Sequence, residues 1–537
     1  MALRIANLRL PVEEPEAALP QHLARVLGVH TGDLAHWRIL RKSLDARDKD
    51  ALRFVYTAEV SLSDETGRTA AILKKKGRVA TIQIEPQREA SFILPAPGAR
   101  PLVHRPVIVG SGPAGLLAGY ILAQAGYRPL ILERGRAVRQ RIRDVHAFDG
   151  GGAFDPESNY LFGEGGAGTF SDGKLTCRSS GPDVRRVLEI LAECKGKPSI
   201  LYDYRPHLGS NRLPAVVKAL RRRIEAMGGE FRFSCRVEDI DLQDGHIRGV
   251  YTSSGFIAAE VLVLAIGHSA RDTYAMLLGR GVPMVPKPFQ FGVRIEQPQE
   301  NINRVKYGPK PWEQRLGAAD YALVVHGKHD LFSFCMCAGG YIIPSVSEPG
   351  FFCTNGMSLS RHDSPYANSG LVVTVPVEAF PGEDVLAGMR LQQQYEGLAF
   401  ALGQGQYLCP IQDARDFLAD RLTSAAPPCS YQRGTVPANL ADLVPPLVLE
   451  ALRHGLPILD QRWHGNFLKQ ATLVAPEARG SSPVRLPRAD TTRESPGIDG
   501  LYPVGEGAGY AGGIVSAAVD GLRSAAAIIG KYAPLER

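Results

Sequence analysis

Cysteine is scarce in this sequence, and long apolar runs are missing from it. Eight cysteines among 537 residues are too few for a disulfide framework, so we expect a reduced protein in the cytoplasm. No window approaches the ~18 uninterrupted apolar residues of a membrane-spanning helix. The first residues, MALRIANLRLPVEE, lack the apolar stretch of a secretory signal. These absences predict a soluble protein that neither crosses a membrane nor is secreted.

A strong excess of charge of one sign is missing as well. The chain has 62 Lys and Arg residues against 55 Asp and Glu residues, and this net charge of +7 is too small to indicate a nucleic-acid partner. Most of the excess lies between His36 and Ala80, where 11 basic residues accompany 6 acidic ones. A solvated basic face explains this cluster, and an anionic partner is the alternative. Ordinary contents of hydrophobic (44%) and charged (22%) residues exclude wholesale disorder.

A glycine-rich loop between a predicted strand and a predicted helix is the first motif with chemical meaning. In VIVGSGPAGLLAG (107–119) the glycines follow the spacing Gly-x-Gly-x-x-Gly. The first permits a tight turn, the second lets the backbone approach a pyrophosphate, and the third lets helix and strand pack closely. Glu133 ends the next predicted strand about 20 residues later, where it can accept hydrogen bonds from ribose hydroxyls and disfavours a 2′-phosphate. The residues predicted to hold this half of a dinucleotide are Gly110, Ser111, Gly112, Ala114, Gly115, Glu133 and Arg134.

A turn near the C-terminus indicates which dinucleotide is bound. YPVGEGAGYAGG (502–513) predicts a strand, a glycine turn with an acidic residue for a ribityl hydroxyl, and a helix that opens beneath the flavin's pyrimidine edge. AEVLVLAIG (259–267) predicts a central parallel strand behind the cofactor. These elements, in this order, favour FAD over NAD and resemble the glutathione-reductase-type FAD fold. The predicted contacts of this half are Gly267, Gly505, Glu506, Gly512, Gly513 and Ile514.

Longer stretches resemble one bacterial family over nearly the whole chain. They are LFGEGGAGTFSDGKL, LAIGHSARDTY, PFQFGVRIEQPQ, FCMCAGG, NGMSLSRHDSPYANSG, SSPVRLPR and GEGAGYAGGIVSAAVDG, with RKSLDARDK near the N-terminus. Together they resemble the uncharacterised FAD-dependent dehydrogenases, which carry an extra N-terminal domain. The resemblance implies a flavin and its fold and supplies no settled reaction. Two residues of the predicted substrate half depart from the family pattern: Ala338 replaces the usual proline and Gln297 the usual histidine.

The expected fold class is α/β, with a glutathione-reductase-type FAD-binding Rossmann-like domain, an α+β substrate domain and a small N-terminal α+β domain. Residues 1–99 form the N-terminal module, in which a strand, a helix and two strands precede a short helix and a last strand. The proline-rich stretch LPAPGARPLVHRP (94–106) predicts a linker. We expect the FAD-binding domain at 100–285 and 490–537, interrupted by the substrate or cap domain at 286–489.

The stretch LFGEGGAGTFSDGKL (161–175) repeats the glycine spacing without its structural context. TFSDGKLT is a poor helix start because Asp-Gly favours a turn, and no acidic residue ends a strand about 20 positions later. We therefore expect no second Rossmann motif here. We interpret the loop as lying against the flavin ring through Gly165, Gly166 and Gly168, with Lys174 stabilising the negative charge of reduced flavin. A purely structural loop and a nicotinamide-nucleotide site are the alternatives.

Further candidates each have a structural alternative. His268 could be an acid or base beside the flavin, but Ser269-x-x-Asp272 has the pattern of a capping box that starts a helix. Cys335 and Cys337 could be a redox pair, although on an extended strand they lie ~6.6 Å apart, near the edge of disulfide reach. The C-x-C lacks a second ligand pair, so we expect no metal site. Polar residues that could be substrate ligands or ion-pair partners are Arg294, which is the catalytic candidate among them, Glu296, Arg361, Asn368, Arg479 and Arg485.

The leading functional hypothesis is an FAD-dependent oxidoreductase that moves a hydride between the flavin and a small organic substrate. Lys174, His268 and Arg294 are its catalytic candidates. One alternative is a flavin monooxygenase that NAD(P)H reduces transiently. Another is a flavin-bound scaffold whose basic N-terminal module docks an anionic partner. We expect neither a membrane nor a nucleic acid as a partner.

Overall fold

The predicted α/β class is confirmed. The structure is a computed structural model, and it describes residues 2–63, 69, 72–73, 78–79, 81–88, 90–177 and 179–535. It contains a mostly antiparallel sheet of seven strands and two sheets of five strands, one of which is parallel. Within the described residues, no helix has the length and apolar character that crossing a membrane requires. The eight cysteines, all of them described, are free thiols.

The N-terminal module is an antiparallel sheet with a helix packed on it. Its elements are β1 (Leu3–Pro11), α1 (Leu19–Leu27), β2 (Leu34–Asp45), β3 (Arg53–Leu62), β4 (Arg78–Val79) and β5 (Ile82–Pro86), and the sheet order is β2-β3-β1-β5-β4. Leu19, Leu23 and Leu27 recur at every fourth residue, so they line one face of α1 and are buried against the sheet. The predicted order of strand, helix, strand and strand is confirmed. The short helix predicted after β3 falls outside the described residues.

The next segment begins the nucleotide-binding unit. Its elements are β6 (Val107–Val109), α2 (Pro113–Gln124), β7 (Leu130–Leu132), α3 (Val138–Asp149), α4 (Pro182–Glu193), α5 (Leu213–Ala226), β8 (Glu230–Arg232), β9 (Val237–Gln243), β10 (His246–Thr252), β11 (Gly255–Ala258), β12 (Leu262–Leu264) and α6 (Arg271–Gly279). Strands β9 to β11 form a small antiparallel sheet whose first turn lies at Asp244 and Gly245, as predicted. The other strands join the parallel sheet.

The central segment contains the larger sheet. Its elements are β13 (Val285–Pro286), β14 (Phe289–Pro298), α7 (Gln299–Tyr307), α8 (Glu313–Leu316), β15 (Val324–Val325), β16 (Leu331–Cys337), β17 (Gly340–Pro344), β18 (Thr354–Ser358), β19 (Tyr366–Val375), α9 (Ala387–Leu402), β20 (Cys409–Asp413), α10 (Ala414–Leu418), β21 (Thr435–Pro437), α11 (Pro446–Arg462), β22 (Thr472–Glu477) and β23 (Val484–Arg485). The sheet order is β15-β16-β19-β14-β22-β20-β21. Apolar residues at alternate positions of β14, from Phe289 to Ile295, face the core, so Arg294 and Glu296 lie on the opposite face.

The last segment returns to the parallel sheet. It contributes β24 (Leu501–Pro503) and α12 (Ile514–Lys531). The sheet order is β24-β12-β6-β7-β8, and every pairing in it is parallel. Strands from both ends of the chain therefore complete one nucleotide-binding sheet around the central segment. The domain boundaries at 99, 285 and 489 stay predictions.

The proline-rich stretch does not behave as the free linker that we expected. Gly98 N–H donates to the carbonyl of Ile529 at 2.8 Å, and Ala533 N–H donates to the carbonyl of Arg100 at 2.8 Å, so the stretch lies along the end of α12. The N-terminal module also pairs with the rest of the chain, because Lys42 exchanges two backbone hydrogen bonds of 2.8 Å with the segment around Asp203. Polar backbone groups need hydrogen-bond partners, and here the end of α12 and the segment around Asp203 supply them.

We expect Gly98→Ala to destabilise the protein. A Cβ atom at Gly98 would lie 2.3 Å from the backbone carbonyl of Lys531, so the stretch or the helix end must shift. The cost of such overpacking is about 1–3 kcal/mol, and a lower thermal midpoint in calorimetry would report it. Gly32→Ala is the matched control, because no described atom lies within 4 Å of its Cβ position. Equal midpoints for the two variants would show that the stretch is not docked on α12.

Candidate functional site

A cavity of about 380 Å³ lies beyond the carboxyl ends of the parallel strands. In α/β sheets of this kind ligands bind at these ends of the strands. Both glycine loops, the segment after β12, the C-terminal turn and part of the seven-stranded sheet line the cavity. Another cavity, of about 500 Å³, lies beside Ser91 and Arg185, and none of the predicted cofactor-binding or catalytic residues line it. The first cavity is therefore the candidate site.

Most of the predicted cofactor residues meet in this cavity. The residues that line it are Gly110, Ser111, Gly112, Ala114, Glu133, Arg134, Gly166, Gly168, Gly267, Gly505, Glu506, Gly512, Gly513 and Ile514. The two others lie inside the protein. A Cβ atom at Gly115 would lie 2.0 Å from the carbonyl oxygen of Gly110, which is the close packing of helix and strand that we predicted. A Cβ atom at Gly165 would lie 2.0 Å from Oγ1 of Thr169, so this glycine faces its own loop.

The first glycine loop presents a helix N-terminus to the cavity. Helix α2 begins at Pro113, with Gly112 as its N-cap residue. The nearest atom to a Cβ at Gly112 is Cα of Gly166, at 4.0 Å, so the space beside this backbone is open. Free N–H groups and the helix dipole attract anions at such a position. The loop therefore fits a pyrophosphate.

Glu133 has more partners than the ribose-binding prediction supposed. Its carboxylate accepts hydrogen bonds from Ser111 N–H at 3.0 Å, Ser111 Oγ at 2.7 Å, Gly135 N–H at 2.9 Å and Gly163 N–H at 3.0 Å. An ionised carboxylate offers about four acceptor sites, so all of them are used. The bond from the Ser111 hydroxyl is the one that a ribose hydroxyl could replace without moving the backbone.

The second glycine loop packs against the first loop rather than standing alone. Residues Gly166–Phe170 form a short 3-10 helix, and within the described residues no strand leads into this loop. Gly165 N–H donates to the carbonyl of Ser111 at 3.0 Å, and a Cβ at Gly166 would lie 3.0 Å from Cα of Gly112. We predicted that these glycines serve the flavin ring and not the pyrophosphate. The structure places Gly165 and Gly166 beside the first glycine loop, and their role towards the flavin ring stays a prediction.

Arg141 organises the second loop, and sequence reasoning missed it. This residue of α3 is fully buried. It donates hydrogen bonds of 2.8–3.2 Å to the carbonyls of Asn159, Tyr160, Gly163, Glu164 and Gly166. Burial lowers its pKa to about 10, although Glu133 and Glu164 oppose this shift, so it stays charged at neutral pH. The only sequence signal was an arginine on the apolar side of a helix.

Lys174 reaches the cavity from the far end of the second loop. Its ammonium lies 3.1 Å from Oδ2 of Asp172 and donates to the carbonyl of Met336. Burial disfavours the charged ammonium, but the Asp172 carboxylate outweighs it and raises the pKa of Lys174 above its usual range. Asp172 is itself buried, and Ser358 donates to its other oxygen. Lys174 is thus a fixed cation at the cavity wall.

Two histidines extend this cluster. Nδ1 of His362 donates to the carbonyl of Ala338 at 2.7 Å, and its Nε2 lies 3.0 Å from Nδ1 of His207. Burial, together with His362 and Lys174, lowers the pKa of His207 to about 4, although Asp172 opposes this. Ligand atoms of Asp172, His207 and His362 lie within 4.8 Å of one another, a spacing that could hold a metal ion. The Lys174 ammonium beside Asp172 disfavours a second cation, so we assign the cluster to hydrogen bonding.

His268 lines the cavity as a neutral imidazole. Burial and the nearby guanidinium groups of Arg479 and Arg271 lower its pKa to about 4. Its Nδ1 lies 2.6 Å from Oγ of Ser269. The predicted capping box is wrong. Helix α6 begins at Arg271, and its N-cap residue is Ala270, whose methyl group cannot accept a hydrogen bond. The Ser269 hydroxyl is turned towards His268 instead.

Paired arginines and carboxylates support the wall behind His268. Glu396 is fully buried and accepts two hydrogen bonds each from Arg271 and Arg479, at 2.7–2.9 Å. Burial opposes ionisation, but the two guanidinium groups lower the pKa of Glu396 to about 2. Sequence reasoning selected Arg479 and missed Arg271 and Glu396, which come from other elements.

Arg294 lies behind the cavity wall instead of lining it. It is fully buried and donates to both oxygens of Glu477, at 3.0 and 2.9 Å. Its Nη1 also donates to the carbonyl of Cys335 at 3.2 Å, and Cys335 does line the cavity. Arg294 thus contacts the cavity wall through the backbone of Cys335, and its catalytic role stays a prediction.

The C-terminal turn closes the cavity. No described atom lies within 4 Å of a Cβ position at Gly512 or Gly513, and α12 begins directly afterwards at Ile514. This leaves an open approach to a second helix N-terminus. Burial raises the pKa of Glu506 to about 7, an effect that Lys287 partly offsets. Glu506 is thus a partly buried acid that ionises near neutral pH.

Family models match the parts of the chain that build this site. A family described as FAD-dependent protein, C-terminal domain-like, matches residues 288–480. An FAD dependent oxidoreductase model matches residues 204–328, and an NAD(P)-binding Rossmann-like domain matches 108–168. A domain of unknown function matches residues 2–61.

One relative and several solved structures are similar to the chain over most of its length. A protein of Clostridium beijerinckii, named as an uncharacterised protein, is 41% identical over 537 residues that make up 99% of each chain. Among solved structures, glycine oxidase from Bacillus cereus is 13% identical with a TM-score of 0.31, over 79% of this chain and 94% of its own. A geranylgeranyl bacteriochlorophyll reductase-like protein from Thermoplasma acidophilum is 11% identical with a TM-score of 0.35, over 80% and 78%. The chain therefore belongs to the uncharacterised FAD-dependent oxidoreductase family that its motifs resemble, and FAD is its cofactor.

Proposed function

We propose that the chain holds FAD along this one cavity and moves a hydride between the flavin and an organic substrate. The observation that carries the proposal is that both glycine loops and the C-terminal turn line one cavity, which also reaches Lys174 and Cys335. In this arrangement the adenosine lies at Glu133 and the pyrophosphate at Gly112. The ribityl chain lies at Glu506. The flavin ring then lies between the N-terminus of α12 and Lys174.

The residues of the chain would supply charge, orientation and exclusion of water. FAD, when bound, supplies a hydride donor or acceptor at its N5 atom. Lys174 stays protonated, so we assign it stabilisation of negative charge and not proton transfer. His268 is neutral above its lowered pKa, so at neutral pH it can accept a proton or a hydrogen bond from substrate. Arg294 would position Cys335 and the wall around it.

NAD(P)H as a reductant would have to bind transiently. Among the described residues, two strand–turn–helix units have glycine-rich turns, β6–α2 and β24–α12, and both belong to the one parallel sheet whose turns line the proposed FAD cavity. The scaffold alternative has less support, because several cations of the basic N-terminal module form ion pairs. These are Arg38 with Glu59, Lys42 with Glu16 and Arg47 with Asp45.

We expect Gly112→Ala to lose FAD while the fold is kept. The new methyl group would meet no protein atom closer than 4.0 Å, so it would project into the space proposed for the phosphates. Flavin content per protein, measured by absorbance after gel filtration, should fall about tenfold or more, which is ~1.4 kcal/mol of binding. The control is Gly279→Ala, an exposed helix position with no described atom within 4 Å of the added methyl. Wild-type flavin content in Gly112→Ala would place the phosphates elsewhere.

Lys174→Met and Asp172→Asn should shift the flavin midpoint potential in opposite directions. Removing the cation destabilises reduced, negatively charged flavin and lowers the potential. Removing the Asp172 carboxylate leaves Lys174 uncompensated and raises it. A change of about 1.4 kcal/mol corresponds to roughly 30 mV for a two-electron couple, which anaerobic spectroelectrochemistry resolves. Unchanged potentials in both flavin-replete variants would mean that the ring does not lie at Lys174.

Arg141→Met should destabilise the protein and weaken FAD retention together. Five carbonyls in and beside the second loop would lose the Arg141 guanidinium as a donor, at a cost of about 3 kcal/mol or more in the free energy of unfolding. Arg139→Met, at an exposed position of the same helix, is the control. Chemical denaturation and flavin content are the two measurements. If both variants behave alike, the second loop does not depend on Arg141.

A further inference from the structure

Two thiols at the cavity wall have no role in the proposed hydride transfer. Cys335 lines the cavity, and Cys337, two residues further along β16, is fully buried behind it. An accessible thiol backed by a buried one is the arrangement in which one sulfur meets a reaction partner and the other resolves the product. A disulfide between them requires a local backbone that brings the two sulfur atoms within bonding distance.

A β-bulge brings the two cysteines together. Phe334 pairs with Gly370 and Cys337 with Asn368, so three steps along β16 oppose two steps along β19. Cys335 adopts a left-handed conformation, with φ of +46°, which is uncommon for a residue other than glycine. Sγ of Cys337 consequently lies 3.3 Å from the carbonyl oxygen of Cys335. The bulge removes the full extension that would separate the pair on a regular strand.

Two cations stabilise a thiolate at this bulge. Lys174 donates to the carbonyl of Met336, the residue between the two cysteines. Arg294 donates to the carbonyl of Cys335. A hydrogen bond from Cys337 lowers the pKa of Cys335, and Lys174 and Arg294 lower it further against the effect of burial. Burial, together with Cys335 and Asp172, raises the pKa of Cys337, although Lys174 opposes this shift.

A purely structural role would not require this geometry. A left-handed residue of this type is strained and persists only where its surroundings hold it in place. Here Arg294 does so, and its own guanidinium is fixed by Glu477 and Asn368. Small thiols that only filled the core could sit on a regular strand without this strain.

We propose that Cys335 and Cys337 form a redox-active dithiol that exchanges two electrons with the FAD held in the cavity. On oxidation of the Cys335 thiolate and the Cys337 thiol, one S–H bond breaks and one S–S bond forms, and two electrons and one proton pass to oxidised FAD, which becomes the anionic reduced flavin. The reverse step cleaves the S–S bond and returns them. The inference rests on the proposed position of the flavin ring near Lys174. The dithiol would be a second two-electron redox centre in the enzyme, beside FAD.

The test is a reductive titration of the holoenzyme with dithionite under anaerobic conditions. We expect wild-type enzyme, prepared with oxidised flavin, to take up about twice as many reducing equivalents per flavin as Cys335→Ser or Cys337→Ser, since the disulfide is a further two-electron acceptor. Cys177→Ser, which changes a thiol outside the cavity lining, should titrate as wild type does. A second readout is independent of the flavin signal. Samples are quenched in denaturant with an alkylating reagent and analysed by mass spectrometry.

The expected mass result is an unalkylated peptide containing Cys335 and Cys337, linked by a disulfide, before titration and a doubly alkylated one after it. Wild-type measurements alone decide the matter if a serine variant fails to fold. Equal uptake in wild type and variants, or two alkylated thiols in fully oxidised enzyme, would overturn the proposal. In that case a shifted potential in Lys174→Met would still leave the hydride-transfer proposal standing. An unchanged flavin potential in Lys174→Met would instead contradict the proposed position of the flavin ring, on which the hydride-transfer proposal and the dithiol proposal both depend.

Discussion

The carboxylate of Glu133 is the point at which the parts of the cofactor site are joined. Three backbone N–H groups from three separate segments converge on it, at Ser111, Gly135 and Gly163. A buried carboxylate without such donors would be costly, and backbone donors without such an acceptor would be unsatisfied, so each side of this contact requires the other. These hydrogen bonds therefore fix the position of one glycine loop relative to the other. Arg141 repeats the same principle from the other side, with one donor group serving several carbonyls of the second loop.

Charges elsewhere in the site are buried in compensated groups. Glu396 lies between two guanidinium groups, Arg294 faces Glu477, and Lys174 faces Asp172. Breaking such a pair leaves an uncompensated buried charge, so each pair keeps its side chains in fixed positions. The wall opposite the nucleotide loops is for this reason rigid before any ligand binds, which is the condition for electrostatic stabilisation of a developing charge.

Local patterns were predictable from the sequence, and contacts between distant segments were not. The strand, turn and helix around Gly110 and the turn at Gly505 follow from residue spacing, because those spacings encode backbone conformation directly. Which glycine of the second loop reaches the cavity depends on its partner loop, so Gly166 could not be distinguished from Gly165. The donor role of Arg141 and the docking of residues 94–106 on α12 likewise arise only when segments far apart in the chain meet. The capping-box prediction at Ser269 was wrong because a neighbouring histidine competes for the hydroxyl.

The parallel sheet has a consequence for how the chain is made. Its order, β24-β12-β6-β7-β8, places a strand synthesised last next to strands synthesised hundreds of residues earlier. Chains fold from the N-terminus as they leave the ribosome, and an unpaired strand edge is open to wrong partners until its neighbour arrives. On the nascent chain, the edge of β12 that pairs with β24 stays unpaired while the seven-stranded sheet is translated and folded. A polypeptide that ends before β24 and α12 contains the first glycine loop and lacks the C-terminal turn that lines the other side of the cavity.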